Sequence, residues 1–197
     1  MSDPIRPDAL LRQARVLAGF GAGRGRPRTI DHRRAVSAAY YALYHRLIDA
    51  CLDLMFPGTM PEAARHAAAR WFDHADIADV CKWVLTVATY TQPQQRRPPQ
   101  VKDNGVWELF SRTVAGGGRR SGVPLSVHFT ADAFNTLQQA RHTADYDHSA
   151  SFPKAVARTH VLTAARAVKL IDQGQDGMYM RRFLAMNVAR SSRLKRG

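Results

Sequence analysis

Arg141 and His148 are the residues of this chain best placed to do chemistry. A guanidinium grips phosphate oxygens through paired hydrogen bonds. An imidazole that titrates near neutrality can move a proton. The two stand seven residues apart in Ala140-Arg141-His142-Thr143-Ala144-Asp145-Tyr146-Asp147-His148. Phe134, Leu137, Arg141, Ala144 and His148 follow steps of three, four, three and four, so they share one face of a helix. A core or interface rarely takes in a guanidinium without a specific partner. The stripe therefore reads as the functional end of a small helical bundle. A second reading stays open beside it. Asp145 lies four residues after Arg141 and is placed to neutralise it in a structural pair, with Tyr146 packed nearby.

The elements that must position these residues are helical, and the chain is long enough to build them. At 197 residues it fits one domain with tails. A chain of this size buries roughly 70% of the surface its unfolded form exposes, so a core needs no metal or disulfide. Lys and Arg number 29 against 16 Asp and Glu, a formal net charge of +13, and most of the cations are arginine. An anionic polymer is the partner class this charge favours, nucleic acid ahead of a membrane surface. A solvated, arginine-rich surface without such a partner is the alternative. Cys51 and Cys81 lack the paired spacing of a zinc or redox site and read as buried thiols of a reducing compartment. The N-terminus carries no apolar signal core, and no run approaches the roughly 18 apolar residues of a membrane span. The expectation is a cytoplasmic protein with no cofactor and no metal.

In chain order, a first helix is expected from Pro7 to Phe20, burying Leu10, Leu11, Ala14 and Leu17. Glycines and Pro27 then forbid regular structure, leaving Arg24, Arg26 and Arg28 on a loop suited to phosphate contacts. Thr29 or Asp31 caps a long second helix that reaches Phe56 and stops at Pro57-Gly58. It is apolar over most of its circumference and belongs at the centre of a bundle. Arg34, Ser37, Tyr41 and His45 form a polar stripe on it, read as a hydrogen-bonded seam with another helix or another subunit.

Pro61 opens a third helical region that bends or restarts at Asp73–Asp76 and continues from Ile77 to Tyr90. Residues 93–127 read as a basic insertion, holding one short helix over Val106–Val114 and a flexible loop with Arg119 and Arg120. Thr130 is expected to cap the helix that carries the opening stripe, and Ser151 the next, with Pro153 in its first turn. Gly174 or Gly177 ends that helix. Residues 176–197 form a basic C-terminal helix or arm, with Arg181, Arg182, Arg193, Lys195 and Arg196 as nucleic-acid contacts. No strand is expected.

Two stretches together resemble the HEPN superfamily. Arg34-Ala-Val-Ser37-Ala-Ala-Tyr40-Tyr41-Ala42-Leu43-Tyr44-His45 resembles the long-helix signature of the branch with paired tyrosines. Arg141-His142-Thr143-Ala144-Asp145-Tyr146, followed by an alanine-rich helix, is similar to the arginine-to-aspartate-tyrosine segment of that branch. His66, shortly before Trp71-Phe72, fits a histidine seen after the first long hairpin. The resemblance implies an all-α, up-and-down bundle of four to five helices over residues 1–175, a homodimer that pairs long helices, and the insertion and basic tail as additions.

Many HEPN proteins are metal-independent endoribonucleases, often toxins or defence components, with a nucleotidyltransferase as antitoxin. The pattern of their active site is an arginine, four to six residues, and a histidine. Arg141, the six residues His142 to Asp147, and His148 match it at its longest spacing. The resemblance thus implies Arg141 and His148 as catalytic, supported by His142, Asp145, Tyr146, Ser37, Tyr41 and His45. An RNA 2′-hydroxyl would attack the adjacent phosphorus and leave a 2′,3′-cyclic phosphate, the histidine moving the proton and the arginine stabilising the phosphorane. The paired-tyrosine branch usually lacks the terminal histidine. A non-catalytic HEPN module that binds RNA, a nucleotide or a partner protein is therefore the second expectation. A helical subunit of a nucleoprotein assembly is the third.

Overall fold

The computed structural model describes residues 6–21, 27–58, 60–90, 96–113, 119–174 and 176–191. Arg24, Arg26, Arg193, Lys195 and Arg196, expected at a nucleic-acid surface, lie outside the described residues. The described chain is all-α apart from one short hairpin. Its helices are α1 (Pro7–Leu17), α2 (Thr29–Met55), α3 (Glu62–Ala69), α4 (His74–Ala88), α5 (Asn104–Phe110), α6 (Leu125–Tyr146), α7 (Lys154–Asp172) and α8 (Gly177–Arg190). The strands β1 (Ser111–Thr113) and β2 (Arg119–Ser121) pair antiparallel. Among the described residues no helix is long and apolar enough to cross a membrane.

Several boundaries differ from the sequence reading, each for a local reason. Neither Thr29 nor Asp31 is the cap of α2. The helix starts at Thr29, and the Asp31 carboxylate reaches back from the first turn to accept the Arg28 N–H at 2.8 Å. The third helical region does break, because Asp73 caps a new helix by accepting the Ala75 N–H. Thr130 is not a cap. The Pro124 carbonyl already accepts from His128, so α6 starts five residues earlier, and the buried Thr130 hydroxyl bonds back to the Ser126 carbonyl. Ser151 lies ahead of α7, whose first turn closes from Ala157 to the Pro153 carbonyl. The hairpin was not expected at all.

By contacts the chain divides into two compact units, Met1–Leu47 with Ala133–Asp172, and Ile48–Asp132 with Gln173–Gly197. In the first, α2 and α6 run antiparallel, since Ser37 meets Asp145 and Tyr41 meets Arg141. Tyr40 packs on Phe134, its ring centroid 5.6 Å away. His32 meets Phe152 just before α7, and Arg46 meets Asp172 at its end, so α2 and α7 run parallel. Arg158, early in α7, donates to the Ala18 and Gly19 carbonyls and caps the far end of α1. The core holds Val36, Tyr40, Leu43, Phe134, Leu137, Val161 and Ala164, with alanines permitting close helix approach. Burying each large apolar side chain contributes roughly 1.5–3 kcal/mol.

In the second unit α4 packs against α5 and α8. Val80, Val84, Val101, Val106, Phe110 and Phe183 are fully buried there. Part of the stretch read as an insertion, Val101 to Phe110, therefore supplies core. Arg190 of α8 ties to Asp79 of α4 at 3.0 Å and lies over the Trp83 ring. Cys51 and Cys81 are free and buried, and burial pushes both thiols well up. The Cys51 thiol donates to the Leu184 carbonyl at 3.6 Å.

Candidate functional site

Three helix ends of the first unit meet at one open cleft of about 800 Å³. α1 brings Leu17, α2 brings Thr29, Arg33, Arg34 and Ser37, and α6 with the turn after it brings Asp145 and His148. Arg34 is exposed and has no acidic partner among the described residues. Arg33 is spent on structure. Its Nε donates to the Ala144 carbonyl at 2.8 Å and its Nη1 to the Ala150 carbonyl at 3.1 Å, which satisfies the open end of α6 and ties down the turn beyond. His32, on the neighbouring face of α2, donates from Nδ1 to the Phe152 carbonyl at 3.0 Å and fixes the other end of that turn.

Arg141 does not line this cleft, although its partner Asp145 does. Its Nε meets Asp145 at 2.6 Å and its Nη2 donates to the Tyr41 hydroxyl at 2.9 Å. The guanidinium also lies over the rings of Tyr41 and Tyr146, at 5.5 and 5.4 Å. Desolvation works against its charge, but Tyr41, Asp145 and Tyr146 outweigh that and hold it above its ordinary value. The second oxygen of Asp145 accepts the Ser37 hydroxyl at 2.5 Å. Ser37, Tyr41, Arg141 and Asp145 thus form one seam between α2 and α6, made of two hydrogen bonds and an ion pair. Tyr40, beside it, is buried, and burial pushes its phenol up.

His148 lies two residues past the end of α6, exposed on the cleft wall. Its position is set by Asp147, whose carboxylate accepts the Ser149 N–H, the Ser149 hydroxyl and the Ala150 N–H. The Ser149 hydroxyl first, and then these N–H groups, hold the Asp147 carboxyl below its ordinary range. No hydrogen bond or ion pair joins His148 to Arg141 among the described residues. The expected stripe therefore keeps Phe134, Leu137, Arg141 and Ala144 on one helix face and loses its last member to a turn. His142 and the exposed Tyr146 form a ring pair 5.0 Å apart on the outer side of α6. His45 packs against Tyr41 and Tyr44 further along α2.

The other arginines proposed from sequence divide by what holds them. Arg28 immediately precedes α2 and is exposed. In the second unit Arg119 is taken up by Glu108 at 2.5 Å and by the Trp107 ring at 5.7 Å. Arg120 is exposed on β2. Arg182 lies over Tyr179 and donates to the Leu109 carbonyl. Arg181 is exposed beside it on a groove with Met178 and Leu54. No group of three His, Cys, Asp or Glu suited to a metal occurs among the described residues.

Sequence reasoning missed Arg33, His32 and Arg158 as organisers of the helix ends. The tandem Arg33-Arg34 was visible, but nothing local tells which of the two turns inward. Neither the family models, nor the curated proteins, nor the solved structures give a match to this chain.

Proposed function

We propose that this chain is an RNA-binding helical module of HEPN type. The single observation that carries the proposal is Arg34, exposed on the cleft wall beside His148 and without a carboxylate partner among the described residues. A phosphate entering there would meet a guanidinium fork on one side and an imidazole on the other. Thr29 lines the same cleft. The alternating directions of α1, α2, α6 and α7 suit an up-and-down, HEPN-like bundle. So do the signature residues Ser37, Tyr41, Arg141 and Asp145, which meet in one seam. A homodimer is the protein partner this reading implies; a nucleotidyltransferase antitoxin belongs to the nuclease reading that follows.

A second reading, metal-independent RNA cleavage, is favoured by one specific observation. His148 shares the cleft with Asp145, the residue that holds Arg141. In that reading His148 takes the proton from a 2′-hydroxyl as its oxygen bonds to phosphorus, the bond to the 5′-oxygen breaks, that oxygen leaves with a proton from water, and an arginine steadies the phosphorane oxygens. Incubating single-stranded RNA with the full chain in EDTA tests both. Binding without cleavage supports the module. Cleavage leaving 2′,3′-cyclic phosphate ends, lost in His148→Ala, supports the nuclease. Absence of binding removes both.

A further inference from the structure

In the β1–β2 hairpin, Arg112 stands directly opposite Arg120. Both side chains are exposed, and neither has an acidic partner among the described residues. Directly opposed residues have their Cβ atoms roughly 4.5–5.5 Å apart, and like charges in that position destabilise a strand pair. The cost falls on an element with little to spare, since each strand is three residues long. The opposite face is held firmly. Arg119 is bound by Glu108 and Trp107, the Ser111 hydroxyl donates to the Trp107 carbonyl at 2.6 Å, and the Gly122 N–H donates to the Phe110 carbonyl at 2.7 Å. At Gly122 a Cβ would stand 3.3 Å from that carbonyl oxygen, so the ribbon lies close on the end of α5. One face anchors the hairpin, and the other presents two exposed arginine side chains, paired across the strands, to solvent.

We propose that Arg112 and Arg120 form a phosphodiester clamp, a second contact for a single-stranded RNA. The inference rests on the reading of the chain as an RNA binder. A phosphate seated between the pair replaces repulsion with two charge-assisted, fork-shaped contacts. The pair lies on an open ribbon, so its ligand is a repeating polyanion, bound by many such contacts and by counterion release, and not a single small phosphate.

Arg112→Glu separates ligand binding from stability. It turns a like-charged pair into an opposite-charged one, so the hairpin is kept while the clamp is lost. Binding of a labelled 20-nucleotide RNA is measured by anisotropy across a salt series. Wild type is compared with Arg112→Glu, with Arg34→Ala, and with Arg70→Glu, an equal charge change at an exposed site on the same unit. The clamp predicts about tenfold weaker binding for Arg112→Glu, with a salt slope reduced by about 0.7, since one phosphate is seated in the clamp and each single-strand phosphate contributes about 0.7. Its thermal midpoint is not lowered, and Arg70→Glu changes affinity less than threefold. Equal losses in Arg112→Glu and Arg70→Glu would overturn the clamp in favour of net charge alone. Poly-glutamate bound as tightly as RNA, with the same loss in Arg112→Glu, would overturn it in favour of a protein-docking surface. Loss in Arg34→Ala with none in Arg112→Glu removes the clamp and leaves the cleft standing. No RNA binding by wild type removes both.

Discussion

The Arg141 guanidinium meets the Asp145 carboxylate at 2.6 Å, one helical turn along α6. Asp145 also receives the Ser37 hydroxyl, and Arg141 the Tyr41 hydroxyl, so the pair joins α6 to α2. A pair of this kind couples two helices before it serves any ligand. Both side chains are partly exposed, so the coupling energy is modest, about 1 kcal/mol. A double-mutant cycle of Arg141→Ala and Asp145→Ala, read by urea denaturation, should return a coupling of that size. Strictly additive losses would mean that the seam is not a unit.

Arg33 holds the end of α6 and the turn beyond it through two carbonyls, and among the described residues no other side chain is bonded to both. Arg33→Ala should destabilise by about 1–3 kcal/mol, the cost of leaving partly buried carbonyls unmet. Arg33→Lys should recover less than half of that, because an ammonium lacks the fork that reaches both acceptors. Urea midpoints, with limited proteolysis at residues 147–151, check the prediction. An Arg33→Ala variant as stable and as resistant as wild type would refute it.

The turn that carries His148 should loosen in acid. Bonds from Ser149 and Ala150 hold the Asp147 carboxyl below its ordinary value. The stability they bring is present above the ordinary carboxylate range, near pH 4. It is lost as the pH falls through the lower folded value. Amide exchange at Ser149 and Ala150 should rise over that window in wild type. In Asp147→Ala it should be fast at every pH. A flat profile in wild type would contradict the assigned bonds.

Burial pushes His160 the other way for a base, lowering its affinity for a proton. The unfolded chain then takes up that proton first as the pH falls through about 6.5. The stability associated with neutral His160 is present above this range and is lost on acidification until the folded value is passed. His160→Gln should flatten the dependence of thermal midpoint on pH between 5 and 7. An unchanged slope would show that His160 does not carry it.

Much of the fold could be read from local signals. Pro57-Gly58 stops α2 within one residue of the expected place, and an apolar surface over most of the helix marks it as central. The polar stripe of Arg34, Ser37, Tyr41 and His45 was legible from spacing. The partners of Ser37 and Tyr41 were not, because only the antiparallel return of α6 brings Asp145 and Arg141 opposite. His148 was assigned to the helix face by extending a period beyond the point where Asp147 ends the helix. Thr130 carried a cap signal that an earlier start at Pro124 overrode. Ser111-Arg112-Thr113 and Arg119-Arg120-Ser121 lack any apolar alternation. That hairpin is held by Trp107, Glu108 and the Phe110 carbonyl, which the strand residues do not reveal.

The central claim is that the cleft beneath Arg34 binds an RNA phosphate. Its most direct measurement is the affinity of Arg34→Ala for single-stranded RNA across a salt series, beside wild type. The account predicts about tenfold weaker binding at low salt and a slope reduced by about 0.7, one phosphate contact, with an unchanged thermal midpoint. Wild-type affinity and an unaltered salt slope in Arg34→Ala would contradict it.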